Sequence, residues 1–122
     1  MELRKYKLYI LRFFGNVIRG EFVNVGVCLA DWEPGSNRFV GCEFLKDWRR
    51  LEAFFPSTDV GELRNWCVAL AVALNKEETR DEALRRLEEM DSSISVASET
   101  KAVQSPHDPE QELRTVAQVY LG

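Results

Sequence analysis

Two polar residues in an apolar, strand-like stretch, residues 19–31, could do chemistry. The carboxylate of Glu21 lies at its start, and the amide of Asn24 lies among apolar neighbours. A buried amide costs about 1–3 kcal/mol unless its donors and acceptors are paired, so some group must lie opposite Asn24. With a guanidinium beside them, Glu21 and Asn24 could act as the catalytic residues of an enzyme or hold a nucleotide. The arginines that could supply it are Arg12, Arg19 and Arg38.

A structural interpretation of the same residues is available, and we favour it. In a regular strand residues 21 and 24 point to opposite faces, and only a bulge near Gly20 or Gly26 would bring them together. Glu21 would then pair with an arginine, and Asn24 would be hydrogen-bonded within the protein. Arg19, Glu21 and Asn24 remain candidate binding residues.

Metal and nucleophilic chemistry lack their usual patterns. The three cysteines, Cys28, Cys42 and Cys67, form no C-x-x-C pair and lie among apolar residues. We therefore expect reduced core thiols, no metal site and no cofactor. The single histidine, His107, precedes Asp108, a residue that we expect to cap a helix.

A second candidate binding group combines an aromatic ring with positive charge. Trp48 is followed by Arg49 and Arg50, and tryptophan and arginine are enriched at protein-binding hot spots. The alternative is a tryptophan covered by its own domain.

The charge of the chain is unevenly distributed. The net charge is −4, but residues 1–50 hold nine Lys or Arg against six Asp or Glu, and residues 51–122 hold seven against fourteen. An acidic total disfavours a dedicated nucleic-acid binder, although residues 1–50 could make such a contact. With no apolar run near 20 residues and no pattern of a secretory signal, we expect a cytoplasmic protein.

The elements that position these residues follow from the spacing of apolar side chains. Alternation predicts three strands, at residues 5–14, 21–31 and 38–44, joined as an antiparallel meander with a turn at Pro34-Gly35. The second strand is apolar on both faces, which predicts a central position in the sheet. Residues 92–105 are small and polar, and form either a weak edge strand or a mobile loop.

From residue 45 onward, spacings of three and four predict helices at residues 45–55, about 59–75, 77–90 and 108–121. The second helix, opened by Asp59, carries Val68 and Val72 opposite its main apolar stripe, so we expect it to be the most buried. The predicted fold is a single α+β domain, residues 1–122. A three- to four-stranded antiparallel sheet packs against about four helices, mostly on one face, in two layers.

Several segments resemble a bacterial family of small proteins, the domain-of-unknown-function family 3037. They are Lys5-Tyr6-Lys7-Leu8-Tyr9-Ile10-Leu11, Arg19-Gly20-Glu21-Phe22-Val23-Asn24-Val25-Gly26-Val27 and Asp108-Pro109-Glu110-Gln111-Glu112-Leu113. Genes of this family often lie beside genes for HipA-like kinase-fold proteins. The resemblance therefore implies a small accessory or regulatory protein that binds a larger partner, such as a HipA-like kinase-fold protein. Because the sequence also lacks a catalytic pattern, we expect a protein-interaction module without catalytic activity of its own, which could also form a homodimer.

Overall fold

The computed structural model describes residues 3–16, 19, 21–32, 39–89 and 96–122, and every structural statement below concerns these residues. They form four strands and four helices, which confirms the predicted α+β class. In chain order these are β1 (Arg4–Asn16), β2 (Glu21–Asp31), β3 (Phe39–Phe44), α1 (Arg49–Phe54), α2 (Val60–Asn75), α3 (Glu77–Glu89), β4 (Val96–Ser105) and α4 (Pro109–Leu121). None of these helices is long and apolar enough to span a bilayer.

The strands form one antiparallel sheet in the order β3-β2-β1-β4. The predicted meander of the first three strands and the central position of β2 are confirmed. Residues 96–105, for which the sequence left two alternatives, form an edge strand that pairs with β1 from Arg4↔Ser105 to Phe13↔Val96. The predicted turn at Pro34-Gly35 and the predicted start of the third strand at Arg38 lie outside the described residues.

Helices cover both faces of the sheet, so the protein has three layers where the sequence predicted two. One core lies between the sheet and helices α1–α3, and includes Tyr9, Leu11 and Cys28 of the central strands. The other lies under α4, where Val116 packs against the alternate residues of the same strands. The predicted placement of helices mostly on one face is correct for α1–α3. The fourth helix lies on the other face because β1 and β2 are apolar on both sides.

A β-bulge interrupts β2 and fixes which residues face which layer. Leu11 pairs with Gly26 and Arg12 pairs with Asn24, so Val25 is the additional residue of β2. The main-chain oxygen of Val25 accepts a 2.9 Å hydrogen bond from the amide of Leu45, at the point where the chain leaves β3. A Cβ at Gly26 would lie 2.7 Å from the ring of Phe44, so this close packing requires glycine.

The prediction that α2 is buried on both sides is wrong. Leu63, Cys67 and Leu74 face the core, but Val68 and Val72 are 62% and 48% exposed. The helix starts as predicted, because Oδ1 of Asp59 accepts a hydrogen bond from the main-chain amide of Glu62. Its outer apolar side is left without a covering element in the described part of the chain.

Candidate functional site

Asn24 is bound to the helix that covers its face of the sheet. Its side-chain Nδ2 donates a 3.1 Å hydrogen bond to the main-chain oxygen of Tyr120, in the last turn of α4. The last four carbonyls of a helix have no hydrogen-bond donor within the helix. The bond from Asn24 therefore supplies a donor to the Tyr120 carbonyl. The amide oxygen of Asn24, Oδ1, is buried and has no partner among the described residues.

Arg12 lies directly opposite Asn24 on β1. Its guanidinium lies 4.6 Å from the centre of the Phe22 ring and forms an ion pair with Glu99 of β4. Nε of Arg12 is also buried without a described partner. An unpaired donor and an unpaired acceptor thus lie on neighbouring strands, between the sheet and α4. The clefts at the surface of the described residues include four of about 400 to 670 Å³, and neither Arg12 nor Asn24 lines any of these four.

Glu21 lies on the other face of the sheet. The bulge at Val25 comes after Asn24, and the pairings Phe13↔Val23 and Phe14↔Phe22 show regular alternation before it. The carboxylate of Glu21 lies 3.6 Å from Nη1 of Arg19, and both side chains are largely exposed. The structure therefore brings Asn24 together with Arg12 but not with Glu21. Gly20 and Arg38 lie outside the described residues.

Glu21 lines the largest of these four clefts, about 670 Å³ in volume, which we call the aromatic–acidic cleft. Its walls carry three carboxylates, Glu21, Asp59 and Glu62, and four aromatic side chains, Phe13, Phe54, Phe55 and Trp66. The rings of Phe13 and Phe55 meet edge to face with their centres 5.9 Å apart.

The aromatic–acidic cleft is not predicted by the spacing of residues in the sequence. A Cβ at Gly15 would lie 2.1 Å from the Phe55 ring, so glycine lets that ring lie over the end of β1. One feature of the sequence does point to the cleft: Phe54 lies outside the helical stripe that contains Leu51 and Phe55. In the structure the Phe54 side chain is 68% exposed.

Trp48 lies in a groove along the exposed side of α2, about 520 Å³ in volume, which we call the α2 groove. The residues on which its chemistry depends are Trp48, Arg64, Val68, Ala71, Val72 and Lys76. The guanidinium of Arg64 lies 6.0 Å from the centre of the Trp48 indole. Both charged residues of the groove are cations, and none of its described lining residues is acidic.

The two arginines that follow Trp48 do not line the α2 groove. Arg49 binds the side chain of Asp47 through both its Nε and Nη2 atoms, at 3.0 and 3.1 Å. Hydrogen bonding from Arg49 lowers the pKa of Asp47. Arg50 lines a separate cleft of about 550 Å³ together with Arg114 of α4. The structure thus divides the predicted aromatic–arginine group between two surfaces.

The three cysteines lie close together in the core under α2. Cys28 and Cys42 are directly opposite each other on β2 and β3. A hydrogen bond between the two thiols raises the pKa of Cys28 and lowers that of Cys42, whereas burial raises the pKa of Cys67 to about 11. Among the described residues no group of three or more histidine, cysteine or acidic side chains could hold a metal ion.

The segment around His107 has a structural role. Its main-chain oxygen accepts a 2.8 Å hydrogen bond from the Tyr6 hydroxyl, and its main-chain amide donates to Oγ of Ser105. Asp108 caps α4, because its Oδ1 accepts a 2.8 Å hydrogen bond from the amide of Gln111. The predicted Asp-Pro helix start is therefore present.

Comparison with known proteins assigns the family. Residues 8–121 match the family described as "Protein of unknown function (DUF3037)", so the chain belongs to that family. No curated protein and no solved structure shows significant similarity to it.

Proposed function

We propose that this DUF3037 protein is a non-catalytic protein-interaction module whose α2 groove binds an acidic, partly apolar segment of a partner. The observation that carries the proposal is the exposure of Val68 and Val72, 62% and 48%, on a helix whose other side forms the core. Val68, Ala71 and Val72 follow Arg64 at helical spacing, so they form a continuous stripe.

The composition of the groove supports a protein ligand. An amphipathic helix binds such a surface through apolar side chains spaced three or four residues apart. Trp48, beneath the guanidinium of Arg64, combines the two residue types most often found at binding hot spots. Because Arg64 and Lys76 are the only charged residues of the described lining, charge complementarity favours an acidic partner segment.

A HipA-like kinase-fold protein is the first partner to test, because genes for such proteins often accompany this family. The double variant Val68→Asp/Val72→Asp places two carboxylates in the apolar stripe. We expect the affinity measured by calorimetry with the co-expressed kinase-fold protein to fall about tenfold or more. Val119→Asp is the matched control, since Val119 is a valine on α4 that is 69% exposed.

Two results would contradict this proposal. Unchanged affinity of the double variant would remove the α2 groove from the interface. A dimer of the chain itself, dissociated by the same two substitutions in light scattering, would make a second copy the occupant in place of an acidic partner.

The alternative function, an enzyme or nucleotide-binding protein that uses Glu21, Asn24 and an arginine, needs these groups to converge. Glu21 and Asn24 point to opposite faces of β2, so no observation favours it over the interaction module. For a nucleic-acid contact through residues 1–50, the test is a titration with random-sequence DNA at several salt concentrations. Affinity that falls steeply with salt would support that contact.

A further inference from the structure

The aromatic–acidic cleft lies at the start of α2 and is not used by the proposed interaction. Its volume, about 670 Å³, lies within the range of small-molecule sites, about 300–1,000 Å³. Phe54 is 68% exposed beside it, although a phenylalanine at that exposure gains little from burial in its own fold.

The charged groups of this cleft have one sign. Glu21, Asp59 and Glu62 contribute carboxylates, and none of the described lining residues is basic. The cap bond to the amide of Glu62 uses Oδ1 of Asp59 and leaves that carboxylate with further acceptor capacity. A bound molecule would therefore meet acceptors and negative charge at the wall of the cleft.

A guanidinium is already present at the margin of the cleft. Arg19, which is not a lining residue, places Nη1 3.6 Å from the Glu21 carboxylate, and its side chain remains 75% exposed. An exposed ion pair of this length contributes little free energy, about 0–1 kcal/mol. A ligand cation that also reached the aromatic rings could compete with Arg19 for the Glu21 carboxylate.

We propose that the aromatic–acidic cleft binds an organic cation, a guanidinium or ammonium group carried on an apolar arm. The carboxylates would bind the charged group, and Phe13, Phe54, Phe55 and Trp66 would contact the arm and the cation through their ring faces. The site is separate from the α2 groove, so this inference does not depend on the proposed partner.

Two probes with the same arm and opposite charge test the proposal. We expect 4-phenylbutylamine to bind in a calorimetric or NMR titration, and 4-phenylbutyrate to bind about tenfold more weakly or not at all. Equal binding of the two probes would show that the rings alone are responsible and would overturn the proposal. So would the absence of binding by the amine.

A third probe, N-acetylarginine methylamide, distinguishes the two sources of such a cation. If this capped arginine binds as tightly as the free amine, an arginine side chain of a peptide is the ligand. If only the amine binds, the ligand is a small free cation.

Matched variants locate the binding. Glu62→Gln and Phe54→Ala should each weaken binding of the amine about threefold. Glu78→Gln and Val119→Ala alter an exposed carboxylate and an exposed apolar side chain elsewhere and should leave it unchanged. Equal effects of the cleft variants and their controls would contradict the assignment.

Discussion

At the scale of single residues, Asn24 shows how an interior polar group becomes part of the fold. Its Nδ2 binds a carbonyl in the last turn of α4, 96 residues away in sequence. Arg12 lies opposite it and binds Glu99 on the next strand. The amide therefore connects the sheet to the helix that covers one of its faces.

Replacing Asn24 by alanine should lower the free energy of unfolding by about 1–3 kcal/mol, because the Tyr120 carbonyl would lose its only described side-chain donor. Urea unfolding followed by circular dichroism measures the change. Asn65→Ala is the control, since Asn65 is an exposed residue of α2 where alanine is a favourable substitution. Equal stability of Asn24→Ala and the wild type would contradict the role assigned to the amide.

The sequence was sufficient to indicate that Asn24 needs a partner, but not to identify that partner. The pairing depends on the position of α4 on the face opposite the other helices, and nothing in the local pattern around Asn24 encodes that position.

The proximity of the three cysteines could not be predicted from the sequence either. Cys28, Cys42 and Cys67 are far apart in sequence, and only strand register and helix placement bring them together.

At the scale of elements, one carboxylate of α3 adds polar contacts with β1 to the apolar packing of Ala83 and Leu87. Glu88 forms an ion pair with Lys7 and accepts a 3.0 Å hydrogen bond from the hydroxyl of Tyr9. Hydrogen bonding from Lys7 lowers the pKa of Glu88. The other acidic residues of this helix face solvent, and Glu82 forms an ion pair with Arg86 one turn away.

The stability contributed by Glu88 should depend on pH. Because its pKa is lower in the folded protein, its contribution is present above the unfolded-state value and is lost as the pH falls through the folded-state value. Glu88→Gln should therefore lower the free energy of unfolding at pH 7 by up to about 1 kcal/mol, and the difference should disappear at an acidic pH below the folded-state pKa of Glu88.

Urea unfolding at the two pH values measures this difference. Glu89→Gln is the control, because Glu89 forms its ion pair with Arg85 of its own helix and so does not attach α3 to the sheet. A Glu88→Gln deficit that stays constant with pH would contradict an electrostatic origin.

Element positions were predictable because their signals are local. The alternation in β1 and β2, the cap at Asp59 and the Asp108-Pro109 pair all fixed boundaries within a few residues. The two apolar faces of β2 account for helices on both sides of the sheet, but no local signal showed which helix would cover the second face. Val68 and Val72 suggested burial, but the apolar residues of a surface groove give the same periodicity as those of a core.

At the scale of the whole molecule, two cores share the same two strands. Tyr9 and Leu11 of β1 belong to one core, whereas Leu8 and Ile10 belong to the other. If β1 and β2 separated in the unfolding of one core, the apolar residues that they contribute to the other core would be exposed as well. The protein should therefore unfold in one cooperative transition.

Substitutions in the two cores test this cooperativity. Leu87→Ala, on the buried side of α3, should lower the free energy of unfolding by about 2–5 kcal/mol, and Val116→Ala, on the buried side of α4, by about 1.5 kcal/mol. In a Trp32→Phe background, fluorescence reports Trp48 and Trp66, which both pack against the core that contains Leu87. Val116→Ala should lower the fluorescence and circular dichroism midpoints equally. A fluorescence midpoint unchanged by Val116→Ala would mean that the two cores unfold separately.

The bulge in β2 also determines how the strand can change in length. Val25 is the additional residue between Asn24 and Gly26, so a chain without it would keep every other side chain of the strand on its present face. Deleting Val27 instead would move the side chains of one half of the strand to the opposite face of the sheet. Deleting Val25 would lower the free energy of unfolding through two losses. The core would lose the buried Val25 side chain, and the Leu45 amide would lose the carbonyl that accepts its hydrogen bond. This position is where a relative with a shorter β2 could arise by single-residue deletion.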